Sequence, residues 1–153
     1  MSKAHRKTQT GHETVGAGTS QQGNVEIVRQ AWAAWLDGDM DAMFAFFDPE
    51  IVWDMTHFRE WPDVIHRRKE GVRRFLDEWL EVWDDYEVGL DELRVAPDGR
   101  VVSLAWQRGT GRHSGLPMEM EWAQIFTLRK GKVIRAENYD DPAKALEAAG
   151  LQR

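Results

Sequence analysis

Residues 117–140 read PMEMEWAQIFTLRKGKVIRAENYD, two strand-like runs joined by Arg129-Lys130-Gly131. In the first run Met118, Met120, Trp122, Gln124, Phe126 and Leu128 alternate with Glu119, Glu121, Ala123, Ile125 and Thr127, the period-two pattern of a strand with two unlike faces. One face is apolar except for Gln124, which sits between Trp122 and Phe126. A buried amide needs hydrogen-bond partners, because leaving one unsatisfied costs about 1–3 kcal/mol. Either neighbouring side chains or a bound molecule must supply them, so the apolar face of this hairpin is a candidate site.

Upstream of the hairpin the pattern is also strand-like: Tyr86 to Val95, a turn at Pro97-Asp98-Gly99, then Val101 to Thr110. Val102, Leu104, Trp106 and Arg108 fall on one face of that middle strand. Before it lies a clear amphipathic helix, with Val72, Phe75, Leu76, Trp79, Leu80 and Trp83 in one stripe and Arg73, Arg74, Asp77, Glu78 and Glu81 opposite. Further back, Asn24 reads as the N-cap of a helix carrying Val28, Ala31, Trp32 and Trp35 and closed by Gly38. Asp39 caps a short second helix with Met40, Met43, Phe44 and Phe47, ended by Asp48-Pro49. Ile51 to Met55 forms a first strand, with Asp54 out of character in it. A loop over 56–64 holds His57, Phe58, Trp61 and Pro62, aromatic enough to cover a cavity. At the C-terminal end Asp141-Pro142 opens a short helix that closes at Gly150. The expected fold class is α+β: a curved antiparallel or mixed sheet wrapped around N-terminal helices as a cone-shaped α+β barrel.

The length of 153 residues fits one domain. Residues 1–23 carry almost nothing apolar and are expected to be a disordered tail, with the folded domain spanning 24–153. The chain contains no cysteine, which excludes disulfides and thiolate metal sites. A net charge of −6 argues against a nucleic-acid partner. There is neither a signal-peptide h-region nor an apolar run long enough to span a bilayer, so no membrane partner and a cytoplasmic location are expected. Eight tryptophans are many for this length, and they suit either a heavy core or an apolar pocket.

Three stretches carry a family resemblance: VEIVRQAWAAWLDGDMDAMFAFFDPEIVWD at 25–54, EGVRRFLDEWLEVWDDY at 70–86, and WAQIFTLRKGKV at 122–133, followed by ALEAAGL near the end. With the order of elements, they make the chain resemble the SnoaL-like branch of the bacterial-type nuclear transport factor 2-like superfamily, whose fold is that of ketosteroid isomerase. The resemblance implies a homodimer through the convex sheet face, where Glu119, Glu121, Ala123, Ile125 and Thr127 would lie. It also implies a cavity lined by the first helices, the first strand and the concave face of the sheet. The candidates there are Trp32, Phe44, Asp54, His57, Phe75, Trp79, Trp106, Arg108, Trp122, Gln124 and Asn138.

Activity varies within such a family, and three templates bear on these positions. Compared with ketosteroid-isomerase-like relatives, Asp54 matches the proton-moving carboxylate, but Ala31 stands at the tyrosine position and Gln124 at that of the protonated acid. Compared with limonene-epoxide-hydrolase-like relatives, Trp106, Arg108 and Asn138 stand where an Asp-Arg-Asp set would be, so epoxide hydrolysis is not expected. A cyclase-like reading would pair Asp54 with His57 or His66.

The residues themselves leave several alternatives open. Asp54 is a candidate general base with a pKa raised by burial, or a carboxylate tied to the backbone or to Arg108. Gln124, the candidate donor, and Asn138 anchor a ligand carbonyl or hydroxyl, or bond each other across adjacent strands. His57 and His66 with Asp54 fit no metal-ligand spacing, so no metal and no cofactor are expected. The run from His66 to Lys69 precedes a helix N-terminus, where it either receives an anion or pairs with the chain's many acids. The functional expectation is a protein that binds a small hydrophobic ligand bearing carbonyl or hydroxyl groups. It either performs proton transfer through Asp54, of isomerase, cyclase or dehydratase type, or is a non-catalytic homodimeric binding or interaction domain.

Overall fold

The hairpin at 117–140 folds as two paired strands, β5 (Pro117–Arg129) and β6 (Lys132–Tyr139). Its tight turn places Lys130 at φ 52° and Gly131 at φ 77°, the two left-handed positions that a two-residue hairpin turn demands. The computed structural model describes residues 19–59 and 64–152. In chain order it adds α1 (Thr19–Leu36), α2 (Met40–Phe44), β1 (Phe47–His57), β2 (Ile65–Arg67), α3 (Arg68–Glu81), β3 (Trp83–Val95), β4 (Val101–Gly111) and, after β6, α4 (Pro142–Ala148). Among the described residues no helix is long and apolar enough to cross a membrane.

The helix ends follow their capping residues. Gly38, at φ 78°, ends α1 with its amide bonded back to Trp35 O, and the Asp39 carboxylate caps α2 through the Ala42 amide at 3.0 Å. Asp141 caps α4 in the same way, with Pro142 as its first residue. Boundaries differ from expectation at several ends: α2 stops at Phe44, with Phe47, Asp48 and Pro49 already in β1, Trp83 opens β3 rather than closing α3, and α1 starts at Thr19, so Asn24 lies inside the helix rather than capping it. Its side chain instead donates to Gly99 O at 3.2 Å, as Gln21 does to Pro97 O. Docking on the β3–β4 turn thus supports the extra helical turn. Of the tail expected over 1–23, residues 1–18 lie outside the described residues. So do Trp61 and Pro62 of the expected covering loop.

The six strands form a single sheet in the order β2-β1-β6-β5-β4-β3. β1 runs parallel to β6 and every other pairing is antiparallel. This corrects the expected barrel. The sheet is curved and mixed but open, because its two edges, the three-residue β2 and the long β3, do not pair with each other. Helices occupy the hollow instead, with α3 packed on β1 near one edge and α1 on β3 at the other.

Opposed residues of antiparallel strands share a face, so the register fixes what points inward. Phe126, Gln124, Trp122 and Met120 on β5 oppose Val101, Ser103, Ala105 and Gln107 on β4, while Gln124 also opposes Asn138 on β6. This concave face meets the helices in the main core. The reverse face carries Val102, Ala123 and Ile125, fully buried beneath Ala145, Leu146 and Ala149. Ala123 and Ile125 are therefore covered by the chain's own α4, which corrects their assignment to a dimer surface.

Candidate functional site

The concave face and the helices enclose an aromatic cavity of about 70 Å³. From α1 come Ala31, Trp32 and Trp35, from α2 Met43, and from α3 Phe75, Leu76 and Trp79. β1 supplies Phe47, Trp53 and Met55, followed by Phe58. The sheet floor provides Tyr86, Gln107, Trp122, Gln124, Phe126 and Asn138. The amphipathic pattern explains the helix contribution, since the residues that make α3's apolar stripe are the ones facing the hollow. The rings pack on one another, Trp32 against Trp122 at 6.0 Å and Trp79 edge-on to Tyr86 at 6.5 Å between centroids.

The polar groups of the floor are largely engaged with each other. Ser103 Oγ donates to Gln124 Oε1 at 3.2 Å, Gln124 Nε2 donates to Asn138 Oδ1 at 2.9 Å, and Asn138 Nδ2 donates to the Asp54 carbonyl at 3.2 Å. Of the two alternatives for Gln124 and Asn138, the structure thus displays the bond across the strands. Beside this relay the Tyr86 hydroxyl donates to Gln107 Oε1 at 2.5 Å. Burial pushes the Tyr86 phenol well above its ordinary range, with a hydrogen bond from the Trp79 side chain pulling the other way. It is neutral at physiological pH.

Of the residues nominated from sequence, Trp32, Phe75, Trp79, Trp122, Gln124 and Asn138 meet around the cavity. Phe44 is buried next to it, edge-on to Phe47 at 5.2 Å between centroids. Asp54, His57, Trp106 and Arg108 are not part of the wall. Trp106 and Arg108 lie on the reverse face of β4: the Trp106 indole covers Gly89, and Arg108 pairs with Glu87 while stacking on Trp106 at 5.6 Å. His66 on β2 stacks on Phe75 at 4.4 Å between centroids; burial lowers its pKa, partly offset by Glu78.

Asp54 alternates with Trp53 and Met55 along β1, so their inward orientation turns it outward. Its carboxylate accepts from the Thr56 amide at 2.8 Å, the Thr56 hydroxyl at 2.6 Å and the Arg135 guanidinium at 2.6 Å. Burial, the largest single influence, raises its pKa. The Thr56 hydrogen bonds, Arg135 and His57 together outweigh it and hold the carboxyl below its ordinary value. The partner is Arg135, not Arg108. Asp54, His57 and Glu137 bring ligand atoms within 4.8 Å of one another. Arg135 already supplies a positive charge there, reaching Asp54 at 2.6 Å and Glu137 at 3.9 Å.

Sequence reasoning missed Trp53, Tyr86 and Gln107 as wall residues. The β4 pattern misled because its more apolar face, Val102 and Leu104, is the one buried under α4. Gln107 lies on the opposite face from Trp106, and the alternation alone carries no signal of which of the two faces inward.

The SnoaL-like domain pattern matches residues 28–136. The chain belongs to the SnoaL-like family. Among solved structures it is similar to a nuclear transport factor 2-like (NTF2-like) protein of Burkholderia thailandensis, with 30% identity and a TM-score of 0.68 over 82% of this chain and 95% of that one. An NTF2-like protein of Burkholderia xenovorans is 29% identical, with a TM-score of 0.66 over 86% of this chain and 98% of the other. An NTF2-like protein of unknown function from Burkholderia pseudomallei shares the fold at 18% identity, with a TM-score of 0.65 over 83% of this chain and 97% of that one. No curated protein matches. The SnoaL-like domain here thus combines an open NTF2-like sheet with a hydrophobic aromatic pocket.

Proposed function

We propose that this SnoaL-like chain binds a small, uncharged and largely apolar molecule in the aromatic cavity, without a carboxylate base at the site. The observation that carries this reading is the wall itself, in which no described residue is charged at neutral pH. The one titratable group among the described lining residues, Tyr86, is kept protonated by burial. A charged ligand would lose its hydration there without gaining a counter-charge, a strongly unfavourable exchange. An apolar ligand gains in proportion to the area it removes from water.

Proton transfer through Asp54 has no place in this reading. A general base must come within hydrogen-bond reach of the proton it takes, and this carboxylate lies outside the wall, engaged by Thr56 and Arg135. We read Asp54 as a structural carboxylate that ties β1 to β6.

The test is calorimetric titration of the chain with tetralin and with a tetralin carboxylate. Saturable binding of tetralin is expected, with the carboxylate at least about tenfold weaker, and the Asp54→Asn variant should bind tetralin as the parent does. Tighter binding of the carboxylate would overturn the proposal.

A further inference from the structure

Gln124 and Gln107 both belong to the cavity wall and are 3% and 2% exposed, yet their surroundings differ. Gln124 on β5 is opposed by Ser103 on one side and Asn138 on the other, and bonds both. Gln107 on β4 is opposed by Val88 on β3 and Met120 on β5, and neither side chain carries an oxygen. Its one side-chain bond among the described residues is the bond that Oε1 accepts from the Tyr86 hydroxyl.

The direction of that bond is set from behind. The Trp79 side chain donates to the Tyr86 oxygen, since an indole N–H can only donate. The phenol passes its own hydrogen on to Gln107, which presents its oxygen to receive it. Both amide hydrogens of Gln107 are then on Nε2, free of Tyr86. Gln107 Nε2 is not one of the polar atoms sealed away without a partner. It therefore keeps surface that another atom can reach, and for a wall residue on the concave face that surface opens on the cavity. Two relays thus cross the floor. The relay through Ser103, Gln124 and Asn138 closes on the Asp54 carbonyl. The relay through Trp79, Tyr86 and Gln107 ends on an amide N–H that no described residue accepts.

We propose that Gln107 is the polar anchor of the cavity: its side-chain N–H donates to a neutral carbonyl oxygen, of ketone type, on the ligand, and sets the preference for such a ligand over a bare hydrocarbon. The inference rests on the binding reading above and narrows its ligand class. A carboxylate could accept the same bond, but in this uncharged wall it would give up its hydration for one neutral donor. A hydroxyl could accept it too, but its own hydrogen would then need an acceptor. The side-chain oxygens of Gln107, Gln124 and Asn138 are already engaged.

The experiment compares α-tetralone with tetralin, which has the same ring skeleton without the oxygen, on the full chain and on Gln107→Met. The native chain is expected to bind the ketone about fivefold or more tightly than the hydrocarbon. In Gln107→Met that ratio should fall toward one, and the ratio reads the lost donor separately from any change in packing. The native chain supplies two further readouts that hold whether or not the variant folds. The infrared carbonyl band of bound α-tetralone should lie at lower frequency than in a hydrocarbon solvent. The side-chain amide protons of Gln107 should move further downfield in the NMR spectrum with α-tetralone than with tetralin. A native ratio near one, an unmoved carbonyl band or an unmoved Gln107 amide would overturn the inference while leaving the binding of tetralin, and so the binding reading, intact. A ratio that persists in folded Gln107→Met would overturn it as well. If neither compound binds, the binding reading fails and this inference with it.

Discussion

Gln124 Nε2 donates to Asn138 Oδ1 at 2.9 Å across β5 and β6, and Asn138 in turn donates to the carbonyl of Asp54 on β1. One relay thus ties three neighbouring strands at the floor of the cavity. Both amides are almost fully buried, 3% and 1% exposed, so neither can turn to water if its partner is lost. Replacing Gln124 by Leu should destabilise the chain by about 1–3 kcal/mol, read from urea unfolding. A double-mutant cycle with Asn138→Leu should return a coupling of at least about 0.5 kcal/mol. Strict additivity of the two substitutions would mean that the relay is not a unit.

Asp54 gives the chain an acid-dependent component of stability. Its folded pKa lies below its ordinary value because of Thr56 and Arg135, so the folded state holds fewer protons than the unfolded one in that window. The stabilisation is complete above the unfolded pKa of about 3.9 and is lost as pH falls through the folded value. Asp54→Asn should therefore be less stable than the parent at neutral pH, and the difference should shrink as the medium is acidified below pH ~4. A gap independent of pH would contradict the assignment.

Tyr86 acts at the other end of the scale. Burial raises its phenol, so the neutral form stabilises the fold below the unfolded pKa of about 10 and the contribution is lost as pH rises above it. The chain has two tyrosines, Tyr86 and Tyr139, and Tyr86→Phe isolates their signals. Tyrosinate absorbance from Tyr86 should emerge only with alkaline unfolding. At neutral pH the substitution should cost about 1–3 kcal/mol by stranding Gln107 Oε1. Titration of Tyr86 within the folded chain near its ordinary value would be inconsistent with its buried bond.

Gly89 tests the reverse face of the sheet. A β-carbon there would fall 2.3 Å from Trp106 Nε1 and 2.4 Å from Cε2, and the indole cannot yield without leaving β3. Gly89→Ala should destabilise by about 1–3 kcal/mol through overpacking, yet leave cavity binding unchanged, since neither residue is part of the wall. Impaired tetralin binding in a folded Gly89→Ala chain would show that the two faces are coupled.

The elements were legible wherever periodicity was long and one-sided. The alternation from Met118 to Leu128 and the helical stripe of Val72, Phe75, Leu76 and Trp79 each appear as read. What failed was register. Shifting a pairing by one residue exchanges the two faces of a strand, and nothing local to β4 distinguishes Trp106 from Gln107 as the inward residue. The three-residue β2 is too short to show a period, and the missing closure of the sheet depends on which edges meet, a long-range matter. Asp54 reads as an inward candidate because a carboxylate among Val52, Trp53 and Met55 is out of character. Its reason is Arg135, a residue 81 positions away in sequence.

Calorimetric titration of tetralin into the native chain and into Ala31→Phe addresses the central claim most directly. Ala31 on α1 is 7% exposed and lines the cavity, so a phenyl group there fills the space a ligand would take. The account predicts saturable one-to-one binding to the native chain and none to a folded Ala31→Phe variant. Equal binding by both chains would contradict it.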